Sequence, residues 1–393
     1  MKTLIQNGKI INSKFEIEDG VVVINDGKIE FVGKEYPGKA DTVIDAKGMY
    51  VSPGFIDIHV HGGGGFDFMD ADAKEYADIA KYHAQYGTTT LYPTTVASTY
   101  EETETVLQAF RTAKNAKGGA KMRGIHLEGP YVSKNMSGAL DPRYIRNPKP
   151  KEYNAFLDMA QGGIARWTIA PEHEGAMELG DRLVQEGILP SIGHSEAEMS
   201  VVTEAMQHGY RLVTHLYSCT STVIRKQGYR FAGIIEAAFY YDDLDVEIIA
   251  DGRHLPADLL KLIYKIKGYE HIALITDAMR AAGKTEGEYL LGSRKGGNVA
   301  VVEDGVAKLP DRTAFAGSIA TTDRLVRTMV NEAEVPLEKA VYMASFKPAQ
   351  IMKIDGKCGS LEAGKAADLL IFDSNIDVKL TMVDGEIVHN VME

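Results

Sequence analysis

Short apolar segments alternate with amphipathic segments along the middle of the chain. Most gaps between the apolar runs carry apolar residues at helical spacing, which predicts helices over 73–86, 100–114, 174–186, 196–208 and 256–267. The runs themselves are rich in apolar or β-branched residues and predict eight strands, over 55–60, 89–96, 123–127, 167–170, 189–192, 211–216, 246–250 and 272–275.

Eight strands with interleaved helices predict an α/β fold, a (β/α)8 TIM barrel, closed by helices within 318–331 and 336–352. A doubly wound open sheet is the alternative that this pattern leaves open.

The two ends of the chain show a different pattern. Asn-Gly or Asp-Gly pairs at 7–8, 26–27 and 384–385 lie between alternating apolar residues, and such pairs are typical of hairpin turns. We predict that both termini build one small β-sandwich domain, although two unrelated hairpins would give the same pattern. The predicted domains are the β-sandwich over 1–52 and 357–393, and the barrel over 53–356.

Composition narrows the class of protein. Hydrophobic residues make up 45% of the 393 residues, which predicts a sizeable folded core. The net charge of −12 argues against nucleic acid or an anionic membrane as a general partner. The two cysteines, Cys219 and Cys358, are too far apart to suggest a disulfide framework. With no apolar signal segment and no run near the roughly 20 residues of a membrane span, we expect a cytoplasmic protein.

Two histidines lie two residues apart where the first apolar run ends. His59 and His61 occupy positions i and i+2 of a predicted strand, so both side chains leave the same face. The run stops at the glycines 62–65, where the strand gives way to a loop. This arrangement can offer two nitrogen ligands to one metal ion. Two histidines sharing a strand face without a metal are the alternative for this motif alone.

Other titratable residues follow other predicted strands, where barrel enzymes carry their catalytic groups. Glu128, His194, His215, His254 and Asp277 occupy such positions. Imidazole and carboxylate ligands suit Zn²⁺ or Fe²⁺. We therefore predict one or two such ions and a hydrolase in which Asp277 acts as general base on water and then as general acid. The predicted metal ligands are His59, His61, Glu128, His194, His215 and Asp277.

Several of these residues lie in short motifs that occur in a fixed order. The motifs include His126-Leu127-Glu128-Gly129-Pro130, Gly193-His194-Ser195, Thr214-His215-Leu216-Tyr217, Ala250-Asp251-Gly252-Arg253-His254 and Thr276-Asp277-Ala278-Met279. Together they resemble, nearly end to end, the N-acetylglucosamine-6-phosphate deacetylase family of the amidohydrolase superfamily. The resemblance implies a metal-dependent enzyme that releases acetate from N-acetylglucosamine 6-phosphate and leaves glucosamine 6-phosphate.

The resemblance also implies individual roles. Glu128 takes the place of the carboxylated lysine that bridges metals in many relatives. Glu128, His194 and His215 would hold one metal, and the first histidine pair would belong to a second site. His254 would bind substrate, and the protein would be a homodimer.

The substrate side departs from the family in two places. The family commonly continues with Asn-Ala-Met where this chain has Ser218 and Cys219, and it has His or Gln after Gly-Ala where this chain has Leu140 after Ala139. The reaction is therefore better defined than the substrate. N-acetylgalactosamine 6-phosphate, or another N-acyl amino sugar, is the first alternative. A hydrolase of cyclic amides and a non-catalytic scaffold are more remote.

A phosphate group is expected near basic residues that follow the sixth strand. Arg225 and Lys226 lie ten and eleven residues after His215, close to where the family has an arginine that reaches across a dimer. The hydroxyl groups of 218 and 220–222 also suit an anionic oxygen. The predicted substrate-binding residues are Ala139, Ser218, Cys219, Arg225, Lys226 and His254.

Overall fold

The computed structural model describes residues 1–392. The strands are β1 (Lys2–Ile11), β2 (Ile17–Asn25), β3 (Lys28–Gly33), β4 (Thr42–Asp45), β5 (Tyr50–Pro53), β6 (Phe55–Val60), β7 (Gly62–Gly63), β8 (Phe66–Asp67), β9 (Thr88–Pro93), β10 (Lys121–Met122), β11 (Ile125–Glu128), β12 (Ile164–Ile169), β13 (Leu189–Ile192), β14 (Leu212–Val213), β15 (Ile224–Lys226), β16 (Tyr229–Phe231), β17 (Asp245–Ile249), β18 (Ile272–Ile275), β19 (Gly287–Leu291), β20 (Asn298–Glu303), β21 (Val306–Lys308), β22 (Leu369–Phe372), β23 (Val378–Val383) and β24 (Glu386–Asn390). The helices are α1 (Ala73–Ala84), α2 (Tyr100–Ala113), α3 (Pro150–Ala160), α4 (Ala176–Gln185), α5 (Met199–Gln207), α6 (Ile234–Tyr240), α7 (Ala257–Lys267), α8 (Thr322–Asn331), α9 (Leu337–Ala344) and α10 (Phe346–Ile351).

Parallel strands form the centre of the molecule and follow the order of the chain. One run pairs β6, β9 and β10, and a second pairs β11, β12, β13, β14, β17 and β18. Parallel bridges between Thr94 and His126 and between Val60 and Ala278 connect the two runs at their edges. The strands curl into a parallel half-barrel, so the predicted α/β fold is confirmed. The strand order shows none of the reversal that a doubly wound sheet requires.

The sequence pattern predicted most strands and helices in the middle of the chain at or near their observed positions. Strands β6, β13 and β18 have the predicted bounds, and all six residues of β6 are buried, as expected for a parallel strand covered on both faces. Helix α1 begins at Asp72, whose side chain accepts from the backbone of Lys74 and Glu75 while Glu75 reaches back in a capping box. The sequence analysis missed helices α3 and α6.

Both termini contribute strands to one eight-stranded sheet, in the order β24-β23-β22-β5-β1-β2-β3, with β4 added to β1. Its buried core includes Ile5 and Val22 from the N-terminal part and Ile371 and Leu380 from the C-terminal part. The division into domains at 52/53 and 356/357 remains a proposal.

The three hairpin signals at the termini had different outcomes. The pairs at 26–27 and 384–385 do connect antiparallel strands, with both residues of each pair at positive φ. The hairpin predicted at Asn7 and Gly8 is wrong. Both residues lie inside β1, where the register shifts between Ile5 and Gly8 and Asn7 has a φ of 56°. Because apolar residues continue to alternate beyond the pair, the strand bulges and does not turn.

The sequence analysis missed two antiparallel units. Strands β19, β20 and β21 form a small sheet between β18 and α8, and β15 and β16 form a hairpin between β14 and α6. Within residues 1–392, no helix has the length and apolar character needed to cross a membrane.

Candidate active site

Glu128 lies at the centre of a cluster of histidines. His59 and His61, at the end of β6, have Nε2 atoms 3.4 and 3.3 Å from the Glu128 carboxylate. His194 and His215, which follow β13 and β14, have Nε2 atoms 3.2 and 2.9 Å from Oε1 of Glu128. Glu128 completes a three-residue group with each histidine pair, and the ligand atoms of each group lie within 4.8 Å of one another. Each group could hold a metal ion.

Asp277 lies beside the first histidine pair, although it belongs to neither three-residue group. Its Oδ1 atom is 3.0 Å from Nε2 of His61 and 3.4 Å from Nε2 of His59. The backbone N–H of Asp277 donates to the carbonyl of His59 over 3.0 Å, which ties the end of β18 to the end of β6. The structure therefore brings together all six predicted metal ligands.

The hydrogen bonds of the histidines suit metal binding. Nδ1 of His194 lies 2.7 Å from the carbonyl of Met136, and Nδ1 of His215 lies 3.1 Å from the carbonyl of Ser218. A carbonyl only accepts, so each Nδ1 carries the hydrogen and each Nε2 keeps a lone pair for a metal. Nε2 of His59 is buried without a hydrogen-bond partner. This donor set fits a transition metal such as Zn²⁺ or Fe²⁺.

Three of these side chains start from an unusual backbone conformation. His194, His215 and Asp277 have φ angles of 47°, 30° and 49°, in the left-handed region that residues with a Cβ seldom adopt. Each follows the last residue of its strand by two positions. The turn out of each strand thus directs the side chain toward Glu128, and such outliers concentrate at functional sites.

The buried carboxylates of the cluster favour positive charge on the neighbouring histidines. Burial would lower the pKa of His59, but the carboxylates of Glu128 and Asp277 outweigh it and raise that pKa to about 9. The same carboxylates raise the pKa of His61 to about 10 against its burial. Burial would raise the pKa of Glu128, yet the surrounding histidines hold it well below its ordinary value. In the metal-free protein, protons bound to the histidines supply the positive charge that compensates these carboxylates.

Metal binding should therefore release protons. His59 and His61 are protonated near pH 7.5 in the metal-free protein, and each must lose its proton to become a ligand, so binding at that pH should release about two protons per chain. The apparent affinity should rise with pH up to the raised pKa values of about 9 and about 10, because protons compete with the metal below them. Calorimetry in buffers of different ionisation enthalpy measures this release. Binding heats that do not depend on the buffer would contradict the prediction.

A cavity of about 300 Å³ opens over the cluster. Its lining includes five of the clustered residues, His61, Glu128, His194, His215 and Asp277. The rest of the lining is largely apolar and consists mainly of Val96, Ala139, Leu140, Tyr217, Leu291 and Phe315. Leu291 comes from β19, and Phe315 follows β21, so the small antiparallel sheet helps to wall this cavity. Among residues 1–392, no lysine or arginine lines it.

Four of the six predicted substrate-binding residues line this cavity: Ala139, Ser218, Cys219 and His254. Nδ1 of His254 lies 2.9 Å from Oδ2 of Asp251, which orients the ring. The thiol of Cys219 packs so closely on residue 138 that a Cβ there would lie 2.6 Å from Sγ, so only Gly138 fits. Leu140 packs against Ile145 as well as lining the cavity.

The structure does not bring Arg225 and Lys226 to this cavity. Both residues are exposed on the hairpin of β15 and β16, and Lys226 forms an ion pair with Glu198. No ion-pair partner of Arg225 is found within residues 1–392. The sequence analysis also overlooked Arg166 and Glu247, which lie beneath the histidines. A charged residue within an apolar strand was the only signal for either.

Comparisons with known proteins agree with this geometry. A match to the amidohydrolase family spans residues 50–388. An N-acetylglucosamine-6-phosphate deacetylase from Bacillus subtilis (strain 168) is 34% identical, over 98% of this chain and 96% of that protein. An N-acetylgalactosamine-6-phosphate deacetylase from Escherichia coli O157:H7 is 31% identical, over 98% and 97%.

A solved structure shares the whole fold. It is an N-acetyl-D-glucosamine-6-phosphate deacetylase variant from Mycobacterium smegmatis, in complex with N-acetyl-D-glucosamine-6-phosphate. It is 30% identical to this chain, with a TM-score of 0.89, and the match covers 99% of this chain and 100% of that one. The chain therefore belongs to the amidohydrolase family and, within it, to the N-acetylglucosamine-6-phosphate deacetylase family.

Proposed function

We propose that this protein removes the acetyl group from N-acetylglucosamine 6-phosphate, giving glucosamine 6-phosphate and acetate in amino-sugar catabolism. The observation that carries the proposal is the convergence of four imidazole groups on one buried carboxylate, Glu128, at the edge of a cavity. Acetate release from a panel of phosphorylated and unphosphorylated N-acetyl hexosamines, with and without a chelator, tests the proposal. Absence of release from every member of the panel would refute it.

We assign the metal ligands as two groups that share Glu128. His194 and His215 belong to one group, and His59 and His61 belong to the other. We expect one or two Zn²⁺ or Fe²⁺ ions per chain. A bound ion supplies Lewis-acid polarisation of the amide carbonyl and lowers the pKa of water to about 7.

We assign the proton transfers to Asp277. Burial would raise the pKa of its carboxyl group, but the His59 and His61 side chains outweigh it and hold that pKa below its ordinary value. Asp277 is therefore a carboxylate at neutral pH and can accept a proton from the attacking water. The same group, now protonated, can deliver that proton to the departing amine of the sugar.

We also propose the finer architecture that the strand order favours. The bridges at Thr94–His126 and Val60–Ala278 support closure of the parallel strands into a (β/α)8 barrel over 53–356. The sheet shared by both termini supports a separate β-sandwich domain over 1–52 and 357–393.

Among residues 1–392, no lysine or arginine lines the cavity of one chain to neutralise the substrate phosphate. Arg225 is exposed on a hairpin that also carries the exposed aromatic residues Tyr229 and Phe231. We propose that this hairpin packs on a second copy of the chain, in a homodimer, and that Arg225 neutralises the phosphate in the partner's cavity.

Phosphorylated sugars do not cross membranes freely, so we expect the enzyme in the cytoplasm, where its two cysteines would stay free thiols.

Replacement of Arg225 by alanine should raise KM for the phosphorylated sugar roughly ten- to a hundredfold, since a charge-assisted hydrogen bond contributes about 1.5–3 kcal/mol. The value of kcat should change little, because the contact exists in the ground state and the transition state alike. Steady-state kinetics on phosphorylated and plain N-acetylglucosamine measure this difference.

Lys226→Ala is the matched control, because the Lys226 ammonium group already pairs with Glu198. If neither variant changes KM and the wild-type enzyme uses plain sugars equally well, phosphate is not part of the substrate.

N-acetylgalactosamine 6-phosphate is the second candidate substrate, because the relative from Escherichia coli O157:H7 is named a deacetylase of that sugar. The ratio of kcat/KM for the two epimers decides between them.

A further inference from the structure

A buried ion pair lies directly beneath the histidine cluster. Arg166 on β12 and Glu247 on β17 are both 0% exposed, and the guanidinium group contacts both carboxylate oxygens. The proposed reaction uses neither residue. Removing two charges from water costs several kcal/mol per ion, and a well-packed apolar pair is often no less stable. Stability alone therefore does not explain the pair, and the residues that it contacts indicate its role.

One oxygen of Glu247 reaches both groups of candidate metal ligands. Oε2 lies 3.4 Å from Nδ1 of His59, which belongs to the first group. The same atom lies 3.3 Å from the backbone nitrogen of His215, which belongs to the second group. An ionised carboxylate only accepts hydrogen bonds, so Nδ1 of His59 must carry the hydrogen that it donates. The proton that His59 loses on metal binding therefore comes from Nε2, which then presents a lone pair to the metal.

Arg166 determines what can occupy position 247. Its guanidinium group donates to Oγ of Ser191 over 3.0 Å, to Oγ1 of Thr214 over 2.7 Å and to the carbonyl of Ile58 over 3.2 Å, besides Glu247. Arginine has donors only, so the group at 247 must present two acceptors to Arg166, one of which also accepts from His59. A carboxylate has two such oxygens in one plane, whereas an amide has one.

The hydrogen-bond partner of His59 differs from those of the other ligands. His194 and His215 donate Nδ1 to the backbone carbonyls of Met136 and Ser218, which substitution of a side chain would leave in place. His59 depends on a side chain 188 residues away. Substitution of Glu247 can therefore remove the Nδ1 hydrogen bond of His59 while those of His194 and His215 stay in place.

We propose that Arg166 and Glu247 are positioning residues that fix the tautomer and ring orientation of His59 for metal binding at the His59–His61–Glu128 group. The inference rests on the proposed function, because it assumes a metal at that group. Glu247 holds His59 directly, and Arg166 acts through Glu247. Partners of this type typically change metal affinity 10- to 100-fold when they are replaced.

The test is a titration of the metal-depleted full-length protein with Co²⁺, followed by its absorption spectrum, and a count of metal ions per chain. Glu247→Gln should weaken one class of site about 10- to 100-fold and should leave the class formed by His194, His215 and Glu128 occupied. The Co²⁺ spectrum of the weakened class should change, because the ligand geometry changes. A loss of folding stability without any change in affinity or spectrum would show a purely structural pair and overturn the proposal.

The matched control is Asp245→Asn on the same strand. Asp245 also holds a buried cation, Lys347, over 2.8 Å, but it lies two residues before Glu247 and contacts none of the histidine ligands. This variant should keep wild-type Co²⁺ affinity and spectrum. Equal losses of affinity in Asp245→Asn and Glu247→Gln would also overturn the proposal, since the effect would then not be specific to His59.

Glu247→Gln leaves a buried arginine short of an acceptor and could fail to fold. The double variant Arg166→Met with Glu247→Leu removes both charges and still leaves Nδ1 of His59 without its acceptor. It should show the same selective loss of affinity, and wild-type affinity in a folded double variant would refute the inference. If the wild-type protein itself binds no Co²⁺, the proposed function fails, which is a different result.

Discussion

Replacement of His215 by alanine should abolish metal binding at the His194–His215–Glu128 group, and deacetylation with it. Nε2 of His215 lies 2.9 Å from Glu128 and 3.2 Å from Nε2 of His194, so its loss removes one of three ligands from a group that could hold a metal. A metal contributes several kcal/mol of transition-state stabilisation, so turnover should fall by about a thousandfold or more. Metal analysis of the purified variant and acetate release measure the two losses, and His194→Ala should behave in the same way.

His208→Ala is the control for this prediction. His208 is partly exposed after α5 and contacts Asp181 over 2.9 Å, outside the cluster. It should retain wild-type metal content and turnover. A chelator should reproduce the loss in the wild-type enzyme, and added Zn²⁺ or Fe²⁺ should restore it. Full activity of a metal-free preparation would contradict the assignment of the cluster.

Asp277→Asn should lower kcat by at least about a hundredfold while KM stays within a few-fold of the wild type, since general-base catalysis typically contributes that much. The amide keeps the shape of the carboxylate but cannot accept the proton from water. The pKa of Asp277 is held below its ordinary value, so protonation of this group should lower the rate of the metal-saturated wild-type enzyme only on the acid side of that value. The variant should lose this acid limb.

Pre-steady-state or pH-dependent measurements of acetate release check this second prediction. Asp181→Asn, a change at a carboxylate that pairs with His208 outside the cluster, serves as the control and should leave kcat unchanged. If Asp277→Asn turns over substrate at a near-normal rate, or keeps the same acid limb, another group accepts the proton.

Local patterns in the sequence were sufficient for much of the fold. The period of two of a strand placed His59 and His61 on one face at the end of a mainly apolar run. The same reasoning located Glu128, His194, His215 and Asp277 at or just after strand ends. These features depend on residues within a few positions of each other, so they are visible without any knowledge of which strands meet.

Features that depend on distant partners were not predictable in the same way. Asn7 and Gly8 looked like a turn, but pairing with β2 extends β1 through them and leaves a bulge. Arg225 is near His215 in sequence, yet its hairpin carries it away from the cavity of its own chain. The antiparallel sheet of β19 to β21, which supplies Leu291 to the cavity wall, also escaped detection.

The sequence alone determined the class of chemistry, because ligand types and their positions at strand ends are local properties of the chain. Only the tertiary structure decided how that chemistry is supported. Glu247 and Arg166 are 81 residues apart in sequence, and their strands, β17 and β12, are separated in the sheet by β13 and β14. A buried charged side chain is tolerated only where an oppositely charged partner lies beside it in the folded protein. That partner cannot be identified until it is known which strands lie close together.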